Sequence, residues 1–96
     1  MFDKDKIAAL IQRGEILAAY DLARAALGAG ETSLRIAYQA VLCLARAGAV
    51  DFARAEYVRL GLDRVDDDPD AIALGARLLK DVALAARGPR RTAFAR

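Results

Sequence analysis

The chain has 96 residues, 56% hydrophobic and 29% charged, with two prolines and a net charge of +2. That length encloses one core at most, and the composition excludes a disordered linker. A single cysteine, Cys43, and the lack of any histidine exclude an internal disulfide and a Cys/His zinc site. With no apolar run long enough for a signal peptide or a membrane span, the sequence is that expected of a soluble cytoplasmic protein without a membrane partner or a cofactor. Its charge is uneven: residues 1–76 hold nine Lys/Arg against twelve Asp/Glu, and residues 77–96 hold six against one.

Apolar residues first recur at helical spacing in Ile7, Leu10 and Ile11, then beyond Gly14 in Ile16, Tyr20, Ala23 and Leu27. Two helices joined by a tight turn are expected, closed by the glycines of "GAG" at 28–30. Thr32 or Ser33 can cap the next helix. Its apolar residues form two stripes, Leu34, Tyr38, Val41, Leu42 and Ala45 on one and Ile36, Ala40, Cys43 and Ala47 on the other, so it is expected to lie between neighbours. After Gly48 a fourth helix gathers Val50, Ala53, Tyr57 and Leu60 on one side and turns Arg54, Glu56 and Arg59 mostly elsewhere. That is the pattern of a half-exposed helix.

"LIQRGEILAAYDLARAAL" (10–27) and "LARAGAVDFARAEYVRL" (44–60) align without a gap at a spacing of 34, pairing Leu10 with Leu44, Gly14 with Gly48, Ile16 with Val50 and Ala19 with Ala53. The echo is an internal repeat: a fixed period of this size means stacked helical hairpins, each burying its apolar stripe against the next. Ala19 and Ala53 are then packing positions, where a small side chain lets two helix axes approach closely.

A third unit opens with Asp68 as N-cap, Pro69 at the first helical position and Asp70 in the first turn. It too carries two stripes, Ile72, Ala76, Leu79, Ala83 and Ala86, and Leu74, Leu78 and Val82, and expects neighbours on two sides. "LAARG" at 84–88 echoes "LARAG" at 44–48, which predicts a third turn at Gly88 with Ala93 and Phe94 beginning another helix. One domain over 1–96 results, with repeats at about 3–28 and 32–61 and a partial repeat at about 69–96.

On this period, its small turn residues and its packing alanines, the chain resembles tetratricopeptide repeat (TPR) proteins across nearly its whole length. The bulky residue usual near the start of each first helix and the proline between units are replaced or displaced. "ALGARLLKDVALAARG" (73–88) is similar to the N-terminal helical region of bacterial TPR proteins related to the TRAFs-binding domain. The resemblance implies an all-α fold of antiparallel hairpins, stacked as a short right-handed solenoid of about five helices and two and a half repeats. It also implies a regulatory protein-contact role, as the N-terminal part of a larger bacterial signalling protein.

Chemistry-bearing residues are few. With no histidine, one serine (Ser33) and Cys43 on an apolar stripe, no triad, zinc site or phosphate loop assembles, and no enzyme is expected. "DDDPD" at 66–70 lacks the alternating ligands, glycine and terminal glutamate of a calcium loop and reads as a solvated helix start.

In stacked hairpins the first helix of each unit lines the inner face. Arg35, Tyr38, Leu42 and Arg46, with Arg77 and Lys80, are therefore the candidate partner-binding residues: the cations for carboxylates of an extended acidic peptide or a chain terminus, Tyr38 and Leu42 for apolar contact. The competing expectation is that Tyr38 and Leu42 are buried in the stack and the arginines only cover apolar surface. A structural alternative is homo-oligomerisation as a homodimer through the third-unit helix at Leu74, Leu78, Leu79 and Val82. Nucleic-acid binding through Arg87, Arg90, Arg91 and Arg96 is disfavoured by the acidic body and the scarcity of aromatic residues for stacking.

Overall fold

The computed structural model describes residues 4–31 and 33–94, with side chains as far as Ala85. Among the described residues five α-helices follow in order: α1 Lys4–Gln12, α2 Ile16–Gly28, α3 Leu34–Arg46, α4 Val50–Arg59 and α5 Pro69–Phe94, with a 3-10 turn at Leu62–Arg64 before α5. The all-α expectation holds. Each helix packs on its chain neighbours, while α1 also meets α3 and α3 meets α5. Thus α1, α3 and α5 form one layer and α2 and α4 the other, and α2 and α4 make no close approach.

Both hairpin turns use the same device, which gives the 34-residue echo its physical content. Gly14 (φ +80°) donates to Ile11 O at 3.0 Å and Glu15 donates to Leu10 O at 2.9 Å; Gly48 (φ +85°) donates to Ala45 O at 3.1 Å and Ala49 to Leu44 O at 3.0 Å. This pair of bonds satisfies the last carbonyls of α1 and α3, and its left-handed residue is one that glycine adopts without a Cβ clash. Directly after the turns, Ala19 and Ala53 are both wholly buried, as packing positions should be. Ser33 caps α3 by accepting from Ile36 N at 3.4 Å, and Asp68 caps α5 by accepting from Asp70 N at 3.0 Å and Ala71 N at 3.3 Å. Thr32, the alternative cap, lies outside the described residues.

α3 is sandwiched as its two stripes predict. Ile36, Ala40 and Cys43 join Ile7, Ile11, Ala19, Ala23 and Ala26 of the first hairpin, whereas Ala37, Val41, Leu44 and Ala45 join Ala53, Tyr57, Leu62, Ala71, Leu74 and Leu78. Four of the stripe residues depart from this: Leu34 and Ala47, at the ends of the helix, are exposed, and Tyr38 and Leu42 are half-buried. The linker before α5 contributes as well. Gly61 turns the chain with φ +80°, and Leu62 of the following 3-10 turn becomes fully buried, worth about 2 kcal/mol of burial.

The third unit differs from expectation in two respects. No turn forms at Gly88: α5 runs on through Gly88 and Pro89 to Phe94. At Gly48 the turn is held by α4 folding back onto α3, whereas the "LAARG" echo alone does not impose one: the alanine-rich stretch before Gly88 favours helix, and the helix continues past Pro89 although that residue has no N–H to donate. Only one stripe of α5 is covered. Leu74 and Leu78 are buried against the core, while Ile72 and Leu79 remain 48% and 57% exposed, on one line with exposed Ala76 and Ala83.

The α4–α5 contact turns on Gly75. Tyr57 reaches across it to donate its hydroxyl to Ala71 O at 2.8 Å, and a Cβ on Gly75 would meet the Tyr57 ring, with Cζ at 2.8 Å. Tyr57 is 4% exposed and has nowhere to retreat. Alanine normally strengthens a helix relative to glycine, so the sign here is diagnostic. Gly75→Ala should lower stability by about 1–3 kcal/mol in urea unfolding, whereas Gly28→Ala, where a Cβ meets nothing within 4 Å, should be neutral or stabilising.

Candidate functional site

Two hollows flank α3, one on each edge that its neighbours leave open. The larger, about 580 Å³, lies between α2 and α4 above an α3 floor of Ala37, Ala40 and Leu44, with Phe52 on its α4 wall. The other, about 370 Å³, lies between α1 and α3 in the first-helix layer. This second groove contains three of the six sequence-derived partner residues, Arg35, Tyr38 and Leu42, together with Gln39 of α3 and an α1 wall of Lys4, Asp5, Ala8, Ile11 and Gln12.

Helical spacing explains the grouping. Arg35, Gln39, Leu42 and Arg46 follow i, i+4, i+7 and i+11, a single line along α3, with Tyr38 beside it. Tyr38 and Leu42 are half-buried, between the two readings of the sequence: each packs against the core with one side and lines the groove with the other. Arg46 is exposed on the same line beyond the groove's end. Arg77 forms an ion pair with Asp81 at 3.4 Å and is not part of the groove lining. Lys80 does not join them; it is exposed beside the bare stripe of α5.

Arg35 is held on two sides. Its guanidinium lies 4.9 Å from the Tyr38 ring centroid and donates to Asp70 Oδ2 at 3.2 Å, linking α3 to the start of α5. With 39% and 59% of the two side chains exposed, this pair is worth only about 0–1 kcal/mol and is easily exchanged. "DDDPD" therefore serves as more than a solvated cap: Asp68 closes the helix, and Asp70 reaches back to the groove.

Gln39 is the groove residue that the sequence reading passed over. It is 4% exposed, the one amide or charged side chain buried among the described residues, and its Nε2 donates to Lys4 O at 3.0 Å. That bond fixes the amide orientation and leaves Oε1 sheltered from water without a hydrogen-bond partner among the described residues. An unpaired buried acceptor costs about 1–3 kcal/mol. The available signal was a lone amide within the apolar run "IAYQAVLCLA" at 36–45.

Cys43 is 1% exposed in the core; burial pushes its thiol up to about 11, with nearby Arg46 pulling the other way. Among the described residues, no cluster of three or more Cys, Asp or Glu is placed to hold a metal ion, and no helix is long and apolar enough to cross a membrane. Leu74 and Leu78, two of the four candidate oligomer residues, are buried within this chain, so they are not free to pair with another copy; Leu79 is exposed and Val82 half-buried. Arg87, Arg90, Arg91 and Arg96 lie outside the residues with described side chains. Comparisons with protein families, curated proteins and solved structures return no match.

Because the folded state raises the Cys43 pKa above its ordinary value near 9, the protonated thiol contributes stability that is whole below pH 9 and lost as pH rises through about 11. Urea midpoints of wild type should fall across that window more than those of Cys43→Ala. At pH 8, an aromatic disulfide reagent should label the native thiol far more slowly than the urea-unfolded one.

Proposed function

We propose that this chain is a non-enzymatic protein-interaction scaffold whose α1–α3 groove receives a segment of a partner polypeptide. The observation that carries the reading is the groove's lining: apolar Ile11, Tyr38 and Leu42, charged Arg35 on α3 with Lys4 and Asp5 on α1, and a buried acceptor without a donor among the described residues, Gln39 Oε1. Apolar contact with a few convergent polar groups is what a peptide site requires. The 34-residue period and its matching glycine turns support reading the hairpins as TPR-like units of a right-handed solenoid; the role as part of a larger bacterial regulatory or signalling protein rests on the sequence resemblance alone. A reduced, buried Cys43 accords with a cytoplasmic setting.

Homo-oligomerisation through α5 is the second reading, favoured by the bare line of Ile72, Ala76, Leu79 and Ala83. That strip is roughly 17 Å long and about one side chain wide, well short of the approximately 800 Å² per partner of a stable interface. The groove reading therefore ranks first.

Random dodecapeptides selected on the wild-type chain should lose at least tenfold in affinity to Ala8→Arg, which fills the groove from an exposed position of α1, and keep it with Ala76→Arg. Equal binding by both variants would remove the groove from consideration. Light scattering from micromolar to millimolar protein should report a monomer; a dimer that Leu79→Asp dissociates would put the second reading first.

A further inference from the structure

Resting on the groove reading, a more specific recognition follows from what occupies Arg35 and what leaves Gln39 unsatisfied. Arg35 is the cation at the groove's α5 end, and its partner is a carboxylate of this same chain, Asp70, from a helix that does not itself line the groove. The contact is exposed, spans 35 residues of sequence and is made by one oxygen of Asp70, Oδ2, to one guanidinium nitrogen at 3.2 Å. It leaves the two-pronged face of a guanidinium short of the paired bonds that a free carboxylate can make.

Gln39 supplies the second, independent observation. It lies one turn along α3 from Arg35, about 6 Å along the axis, which is roughly the rise of two residues of extended chain. Its Oε1 requires a donor, which reaches it only as the α1 and α3 edges that cover it part, and its Nε2 is already committed to Lys4 O. A peptide N–H is the donor that every extended segment brings regardless of its side chains, with the exception of proline. Beyond Gln39 the same line continues to Leu42 and then to Arg46, which has no carboxylate partner among the described residues. Along α3 the groove thus offers a cation already matched to a carboxylate, an acceptor for a main-chain N–H and an apolar rest, in that order, facing Lys4 and Asp5 on the α1 wall, whose opposite charges offset each other.

We infer that the α1–α3 groove takes an acidic peptide segment, whose carboxylate replaces Asp70 on Arg35 while one of its main-chain N–H groups satisfies Gln39 Oε1. Asp70 is the internal stand-in for the partner's acid. It keeps Arg35 oriented over Tyr38 when the groove is empty and competes with every acidic ligand, so it sets the affinity as well as the selectivity. Neutral apolar segments, unable to displace it, bind weakly.

The test uses a surface-bound array of capped octapeptides in matched sets that differ only in one Glu, the same position as Gln, and the Glu set with single N-methylated amides. It is probed with the full chain and with folded variants checked by circular dichroism. Wild type should bind Glu peptides at least fivefold better than their Gln counterparts. Asp70→Asn should raise binding of the Glu set several-fold and leave the Gln set unchanged, and Arg35→Gln should abolish the difference between sets. N-methylation of one amide within two residues of the Glu should cost wild type at least fivefold and cost Gln39→Leu little. Equal binding of Glu and Gln peptides, or no response to Asp70→Asn, would overturn the carboxylate exchange; indifference to N-methylation would overturn the role of Gln39. In both cases, continued loss of binding in Ala8→Arg would leave the groove reading standing. Binding that Ala8→Arg does not diminish, or no binding to any set, would overturn both.

Discussion

Burial of α3 on two opposite sides organises this protein. A helix with apolar residues nearly all round is stable only if something covers each side, and the two hairpins do this from either flank: α1 and α2 over Ile36, Ala40 and Cys43, and α4 and α5 over Val41, Leu44 and Ala45. Four helices cannot close around a fifth in a two-layer stack. Two narrow edges of α3 stay open, and the two hollows described above lie along them, one floored by Ala37, Ala40 and Leu44 and the other lined by Arg35, Tyr38, Gln39 and Leu42. The candidate site is thus a by-product of how the core is made.

The energetics of the two polar features in the groove favour exchange over permanence. An exposed single-contact ion pair adds little to stability, so Arg35–Asp70 can be broken cheaply, whereas an unpaired acceptor raises the energy of the empty groove and lowers it again once a donor arrives. Stability resides instead in the apolar contacts beneath, in Leu62 and in the buried Tyr57 hydroxyl bonded to Ala71 O. Separating the groups that hold the fold from the groups that meet a partner lets the groove rearrange without unfolding the stack. The same division keeps Cys43, protonated in the core, out of any chemistry at neutral pH.

At α5 the stacking principle reaches its limit within the described residues. One stripe seats on α4 through Leu74, Gly75 and Leu78, and the other faces outward with no helix behind it. The helix nevertheless runs to Phe94, because its backbone bonds are internal and need no neighbour once the first turns are nucleated against the core. Asp68 and Asp70 at its start divide two tasks that sequence alone presents as one acidic run, the first capping the helix and the second pairing with Arg35.

The local rules were legible in the sequence. Helical periodicity marked the helices, Gly14 and Gly48 marked the turns, Asp68 and Pro69 marked the start of α5, and the spacing of 34 marked the repeat, because each depends on residues a few positions apart. The stripe Arg35, Tyr38, Leu42 was legible for the same reason. Only tertiary structure decided which stripe of α5 is covered, that Leu62 enters the core, that Gly75 is reserved for Tyr57, and that Gln39 is buried with one oxygen unpaired. These depend on which helix lies opposite and how far it reaches, and the echo at Gly88 failed on the same ground: a turn motif specifies a hairpin only where a second helix packs back to hold it.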